Sequence, residues 1–280
     1  MAQKDLPSYY TRGHSDHTIS THLLRTAESH APFLLPHLKP TDHILDVGCG
    51  PGTITTSFAK YVTEGRITGI DISPIVLQKA QTLASEFHIP THGYGSVVFE
   101  EGDILAGLSY PDATFDVVYS SQLLGHMPPP ELPLQALIEM RRVLKPGGIL
   151  ATRDGLGPHF YPRSLDLDRL WGQNEVRASR KGQPEVDTTA MSMPALFRAA
   201  GFKEIKVDAG TNVYAGVEDR KRMFERAKGQ LRDGDAFYRS WVDAGITREE
   251  IQETLWAVEK WAGMEDAWMV VLQCDVLGWK

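Results

Sequence analysis

The chain has 280 residues, a formal net charge of −7 at pH 7, and 42% hydrophobic and 23% charged residues. This length suits one α/β domain with insertions. The negative balance argues against nucleic acid as a partner, because such binding depends on lysine and arginine that neutralise phosphates. Two cysteines are too few for a disulfide framework. No apolar run approaches the ~20 residues of a membrane helix, and the N-terminus lacks a signal-peptide pattern. We therefore expect a cytoplasmic protein without a membrane span.

An amphipathic helix is predicted over residues 15–35, where apolar side chains recur at helical spacing. Strands and helices then alternate along the chain. The predicted strands cover 43–47, 66–70, 96–100, 115–119 and 148–154, and the predicted helices cover 53–62, 74–87 and 130–144. Alternation of this kind predicts a parallel sheet with helices on both faces, and ligands of such sheets bind beyond the carboxyl ends of the strands.

The periodic pattern stops over residues 155–187, where glycine, proline, charged and aromatic residues are mixed. A loop of this length inside a compact domain is usually functional or disordered. We therefore interpret the segment as a lid over the substrate, with Trp171 in contact with that substrate. The pattern then resumes, with predicted helices at 193–200, 218–231 and 247–261 and predicted strands at 203–208 and 268–275.

The segment from Ile44 to Thr53 carries the strongest chemical signal. Glycines at every second position join a buried strand to a helix start, so the backbone can approach a ligand there and the helix N–H groups face it. A dinucleotide site requires Gly-x-Gly-x-x-Gly with a pyrophosphate above the helix. Here the spacing differs, and Asp46 would repel a pyrophosphate but suit a ligand with an ammonium group. Asp71 ends the next strand, where a carboxylate can accept hydrogen bonds from ribose hydroxyls.

The glycine loop resembles motif I of the class I methyltransferases that depend on S-adenosylmethionine (SAM), a ligand with an ammonium group and a ribose. The resemblance continues in the expected order over about half of the chain, through residues 69–73, 101–104, 115–121 and 144–150. Within that family the sequence looks like the UbiE-like enzymes of ubiquinone and menaquinone biosynthesis, on residues 13–14, 25–28 and 34–40. The implied fold is α/β, a doubly wound and mostly parallel seven-stranded Rossmann-like sheet with an antiparallel last strand, an N-terminal helix and a helical lid insertion.

This resemblance divides the chain into four parts: an N-terminal helical cap (1–40), a SAM-binding core (41–154), a lid or substrate segment (155–190) and a C-terminal part of the sheet with a helical insertion (191–280). It also implies a set of cofactor-binding residues near the strand ends: Asp46, Gly48, Gly50, Gly52, Asp71, Ile72, Asp103, Ile104 and Ser120. Asp71 would hold the ribose, Asp103 would accept from the adenine amino group, and Ile72 and Ile104 would enclose the adenine ring. The alternative for the three acids is turn or loop chemistry alone, since aspartate favours strand ends.

Two residues are candidates for acid–base chemistry on the methyl acceptor. His126 follows the fourth predicted strand, where this fold binds acceptors, and is either a base or orienting group or a packed histidine that holds the loop. Asp154 ends the fifth predicted strand and is either a base or the partner of Arg153 or another cation in a salt bridge. Tyr10 and His14 either close over SAM or are solvated. No spacing of histidine and cysteine indicates a metal site.

The resemblance therefore implies a SAM-dependent methyltransferase that converts SAM to S-adenosylhomocysteine (SAH). The acceptor is expected to be a small, apolar or aromatic metabolite, with transfer to carbon or oxygen favoured over nitrogen. Two alternatives stay open, a SAM-binding regulator and a non-methylating reaction on the same fold. Turnover of SAM with any acceptor separates the enzyme from the regulator, and thermal stabilisation by NAD would instead indicate a dehydrogenase.

Overall fold

A seven-stranded sheet forms the centre of the protein. The structure is a computed structural model that describes residues 22–180 and 188–280. The strands are β1 (His43–Val47), β2 (Arg66–Asp71), β3 (Ser96–Glu101), β4 (Phe115–Ser121), β5 (Leu144–Tyr161), β6 (Glu204–Tyr214) and β7 (Trp268–Trp279). They lie in the order β3-β2-β1-β4-β5-β7-β6, with β1 to β5 parallel and β7 antiparallel to both β5 and β6. The predicted doubly wound, mostly parallel sheet with an antiparallel last strand is confirmed.

Helices cover both faces of this sheet. They are α1 (Ala27–His30), α2 (Thr53–Ser57), α3 (Pro74–Glu86), α4 (Glu131–Val143), α5 (Asn174–Arg180), α6 (Thr189–Ala199), α7 (Val217–Gln230), α8 (Ala236–Asp243) and α9 (Arg248–Gly263). In α4, for example, Ala136, Met140 and Val143 recur at helical spacing and are buried in the core. A further apolar core around Trp241 and Trp261 joins α7, α8 and α9. Within the described ranges, no helix has the length and apolar character needed to cross a bilayer.

The predicted helix over residues 15–35 is wrong in its described part. Apart from His22, only α1 is α-helical in residues 22–35, and it begins after Thr26, whose backbone is extended (φ −133°, ψ 168°). The Thr26 hydroxyl accepts from the Ser29 N–H, and the Ser29 hydroxyl accepts from the Thr26 N–H. This capping box starts a new helix in the middle of the predicted one. Residues 15–21 lie outside the described residues.

The predicted irregular loop after residue 154 is also wrong. Strand β5 continues to Tyr161, pairing with β7 along a register that ends at Tyr161 and Trp268. A π-helical turn, Asp168–Gln173, then leads into α5. Trp171 in that turn is 2% exposed and packs against Phe237 and Trp241, with both ring-centroid distances 5.8 Å. The described part of this segment is therefore built into the sheet and core. Residues 181–187 lie outside the description, and the role of the segment as a lid stays a prediction.

Candidate functional site

A first cavity opens at the carboxyl ends of β1, β2 and β4. Its lining includes most of the residues that the sequence predicts for a cofactor: Asp46, Gly48, Gly50, Asp71, Ile72, Asp103 and Ile104. They come together because the strands that precede them are parallel neighbours and end at the same edge of the sheet. Tyr10 and His14, which were predicted to lie near this site, fall outside the described residues.

Asp71 fixes the shape of the glycine loop. One of its carboxylate oxygens accepts the N–H of Gly50 at 3.0 Å, and the other accepts the N–H of Ser73 at 3.0 Å. A carboxylate oxygen has more than one lone-pair site. Asp71 can therefore hold the loop and still accept hydroxyl groups of a ligand.

The three glycines of the loop differ in what surrounds them. All have positive φ angles, 73° at Gly48, 55° at Gly50 and 76° at Gly52. A Cβ on Gly50 would meet nothing within 4 Å, so this glycine borders open space. A Cβ on Gly52 would lie 2.7 Å from both Ala80 and Phe99. Gly52 does not line the first cavity and serves close packing there, which differs from its predicted contact with a cofactor.

Asp46 presents a buried carboxyl group to the first cavity. It is almost fully buried, and the Thr55 hydroxyl donates to it at 2.6 Å. Burial raises the pKa of Asp46 to about 7, and the nearby charge of Asp71 adds to that increase. A cation bound in this cavity would stabilise the ionised form of Asp46.

The other predicted cofactor residues fall into two groups. Asp103 accepts the N–H of Leu105 at 2.9 Å and lines the first cavity together with the half-buried Ile72 and the buried Ile104. Ser120 has no exposed surface and does not line that cavity. It lies opposite Val47, the last residue of β1, with its side chain buried, and at the end of β4 the lining of the cavity begins with the next residues, Ser121 and Gln122.

A second and larger cavity, of ≈ 590 Å³, adjoins the first. Arg25, Gln122 and His126 line both cavities, so these three residues form their common wall. Asp154 and Trp171 line the second cavity only. The structure thus places His126, Asp154 and Trp171 around one space next to the first cavity.

Asp154 is the most distinctive titratable group of the second cavity. It is 1% exposed, and one carboxyl oxygen accepts the N–H of Gly125 at 2.9 Å. Among residues 22–180 and 188–280, its other oxygen has no hydrogen-bond partner. Burial raises the pKa of Asp154 to about 7, and the charge of Asp275 contributes to the increase. The alternative of an ion pair with Arg153 is wrong, because Arg153 binds Asp275 at 2.6 Å.

Sequence reasoning missed Gln122, which stands in the common wall. Its backbone is left-handed (φ 56°), and its N–H donates to the carbonyl of Arg153 at 2.8 Å. Its side-chain amide donates to the amide oxygen of Gln273 at 2.5 Å. A strained backbone of this kind is common at functional sites. Its position directly after strand β4 was the only signal in the sequence.

A family model for the methyltransferase domain matches residues 38–189, more than half of the chain. The chain belongs to the class I SAM-dependent methyltransferases. This methyltransferase is 55% identical over 285 residues to "Probable methyltransferase ltbC" of Aspergillus luteorubrus, across 100% of both proteins. It is 31% identical to O-methyltransferase cnsE of Penicillium expansum, over 74% of this chain and 67% of that protein. The solved YcgJ protein of Bacillus subtilis shares the fold, with a TM-score of 0.56 and 16% identity over 89% of this chain and 97% of its own.

The first cavity of the methyltransferase fits SAM in three respects. Open space above Gly50 leaves room for a ligand against the backbone of the loop. Asp71 presents carboxylate oxygens that suit ribose hydroxyls, and the buried acid Asp46 suits a cationic group. In the described part of the chain, no three histidine, cysteine, aspartate or glutamate side chains group as metal ligands.

Two alanine substitutions distinguish the binding glycine from the packing glycine. Both Gly50→Ala and Gly52→Ala should cost about 1–2 kcal/mol for the left-handed backbone. Gly52→Ala should cost about 1–3 kcal/mol more, because its Cβ collides with Ala80 and Phe99. Gly50→Ala should instead lose more affinity for SAH. Urea unfolding and SAH calorimetry on both variants measure this. A Gly52→Ala protein of normal stability that binds SAH poorly would contradict the assignment.

Proposed function

We propose that this methyltransferase transfers the methyl group of SAM to a hydroxyl oxygen of a small, apolar or aromatic metabolite. The carrying observation is the buried Asp154 carboxyl in a large cavity that shares a wall with the SAM cavity. Its raised pKa, about 7, suits a group that accepts a proton near neutral pH. The O-methyltransferase named among the relatives supports oxygen as the methylated atom. The finer likeness to UbiE-like enzymes, which rests on residues 13–14, 25–28 and 34–40, is part of this proposal.

The cavity lining suits an acceptor with an extended apolar surface. Trp171, Phe237, Met223 and Met269 line the second cavity and belong to the same apolar core. Such walls exclude water from the reacting atoms, which strengthens the electrostatic interactions there. Most of the catalysis of methyl transfer comes from holding the two reactants in line. A rigid apolar cavity supplies that orientation for a flat or bulky acceptor.

In the proposed reaction, a few residues bind the cofactor, orient the acceptor and take its proton. SAM supplies a methyl group already activated by its sulfonium. Asp71 and the backbone at Gly50 hold the cofactor, and the common wall, including His126, orients the acceptor. The S–CH3 bond of SAM would break as the O–CH3 bond forms, the electron pair staying on the sulfur, and the Asp154 carboxylate would take the proton of the acceptor O–H. SAH and the methyl ether are the products.

A labelled-methyl assay tests this function. The protein is incubated with SAM that carries a CD3 group and a panel of phenols and naphthols, and the products are analysed by mass spectrometry and NMR. We expect formation of SAH together with an aryl O–CD3 ether. Transfer to carbon or nitrogen alone, or the absence of transfer with every hydroxylated acceptor of the panel, would contradict the proposal.

A further inference from the structure

The second cavity has a group of uncharged polar side chains on the side of the sheet that carries α1. They are His30, Gln122, Asn212 and Gln273, which we call the amide shelf. Arg153, which contacts Asn212, pairs with Ser121 and with Asp275 in the sheet. Because side chains alternate along a strand, Asp154 points to the opposite face from Arg153. The cavity is therefore lined by Asp154 from one face of the sheet and by the amide shelf from the other face.

Partly buried polar contacts hold the amide shelf in place. The guanidinium of Arg153 donates to the amide oxygen of Asn212 at 3.0 Å, and the amide nitrogen of Asn212 lies 3.5 Å from the His30 ring. The other His30 ring nitrogen lies 2.8 Å from the Ser29 hydroxyl. Gln122 and Gln273 form an amide pair, as described above. A polar group fixed in this way loses little entropy when a ligand binds, so its hydrogen bonds are selective.

The amide shelf carries no net charge. Burial, together with the charges of Arg25 and Arg153, lowers the pKa of His30 to about 3, so the ring is neutral at pH 7. The charge of Arg153 is compensated by the ion pair with Asp275. Each amide offers two N–H donors and one acceptor oxygen. Neutral donors and acceptors suit a carbonyl or hydroxyl oxygen, whereas a carboxylate placed on the amide shelf would lose its hydration and find no cation among the four shelf side chains.

We propose that the amide shelf binds a second, uncharged oxygen of the acceptor, so that the preferred substrate is a neutral aromatic compound with at least two oxygen functions. One hydroxyl meets Asp154 and is methylated, and the other hydroxyl or carbonyl lies on the amide shelf. This inference rests on the proposed function for the first oxygen. It adds the substrate class and the residues that select it.

Three naphthalene ligands test the amide shelf in the intact protein. Calorimetry with SAH present compares 2-naphthol, 2,6-dihydroxynaphthalene and 6-hydroxy-2-naphthoate. We expect the diol to bind roughly three- to tenfold tighter than the naphthol, the range of one net hydrogen bond, and the naphthoate to bind most weakly. Equal affinity for naphthol and diol, no binding of the diol, or tightest binding of the naphthoate would overturn the proposal. The last result would mean that the cavity-lining arginines Arg25, Arg222 and Arg226 select the substrate.

Two variants test whether the amide shelf causes the preference for the diol over 2-naphthol. Asn212→Leu should bring the affinity for the diol down to that for 2-naphthol, and its melting temperature shows whether the fold is kept. Ser179→Ala is the matched control, because Ser179 lines the same cavity outside the amide shelf. It should keep the preference for the diol. A diol that binds in this way but is never methylated would refute the O-methyltransferase function and leave the amide shelf intact.

Discussion

Asp154→Asn is expected to lower kcat by roughly 10²–10⁴-fold, the usual contribution of a general base, while the Kd for SAH stays unchanged. The amide can still accept the N–H of Gly125 through its oxygen, so the local structure should be kept. Asp154 does not line the first cavity, so cofactor binding should not change. Steady-state kinetics and SAH calorimetry on one preparation measure both quantities. Normal turnover in a folded variant would remove Asp154 from the mechanism and favour His126 as the base.

The dependence on pH provides a second readout for the same residue. Because a base must be ionised, kcat of the natural protein should rise with pH through about 7, the pKa of Asp154, and this rise should be lost in Asp154→Asn. Stability should change in the opposite direction. The folded state raises this pKa above its ordinary value of 3.8, so it favours the neutral acid, and its stability falls as pH increases between about 4 and 7. Urea unfolding across this range should show a smaller decline in Asp154→Asn.

Asp275→Ala is expected to lower the free energy of unfolding by about 3–5 kcal/mol, the usual cost of leaving one partner of a buried ion pair uncompensated. Arg153 donates to both Asp275 oxygens, at 2.8 and 2.6 Å, and both side chains are almost fully buried. Burial raises the pKa of Asp275 to about 6, which Arg153 partly offsets, so the pair is ionised at pH 7.5. Urea unfolding at that pH measures the loss.

The double variant Arg153→Leu/Asp275→Leu is the matched comparison for this pair. It removes both charges, so its free energy of unfolding should fall less than that of Asp275→Ala. The difference between the two losses is the cost of leaving the Arg153 guanidinium buried without its partner. A single variant that loses less than ~1 kcal/mol, the value of an exposed ion pair, would mean that water reaches Arg153.

The sheet and the first cavity were predictable because their signals are local. Asp46 and Asp71 lie at the carboxyl ends of β1 and β2, Asp103 follows β3, and parallel strands bring their carboxyl ends together without further information. The glycine loop is held by Asp71, which accepts the Gly50 N–H from the end of the neighbouring strand β2, so its partner is also found at a predicted strand end. Ser120 shows the limit of such reasoning, because one residue decides whether a side chain lies inside the sheet or at its end.

The second cavity could not be predicted, because its polar residues come from distant parts of the chain. His30, Asn212 and Gln273 lie on α1, β6 and β7 and meet only in the folded protein. The continuation of β5 to Tyr161 has the same cause, since its hydrogen-bond partner is β7, more than a hundred residues later. Local composition, rich in glycine and proline there, predicted a loop.

The common wall of Arg25, Gln122 and His126 has a thermodynamic consequence. A ligand in either cavity fixes side chains that the other ligand also contacts. The second ligand to bind therefore loses less side-chain conformational entropy. Binding of SAH and of the acceptor should therefore be cooperative, and linkage requires each to strengthen the other by the same factor. Such coupling would favour an ordered binding of cofactor and acceptor and an ordered release of the products. It would also allow SAH to hold unreacted acceptor in a dead-end ternary complex.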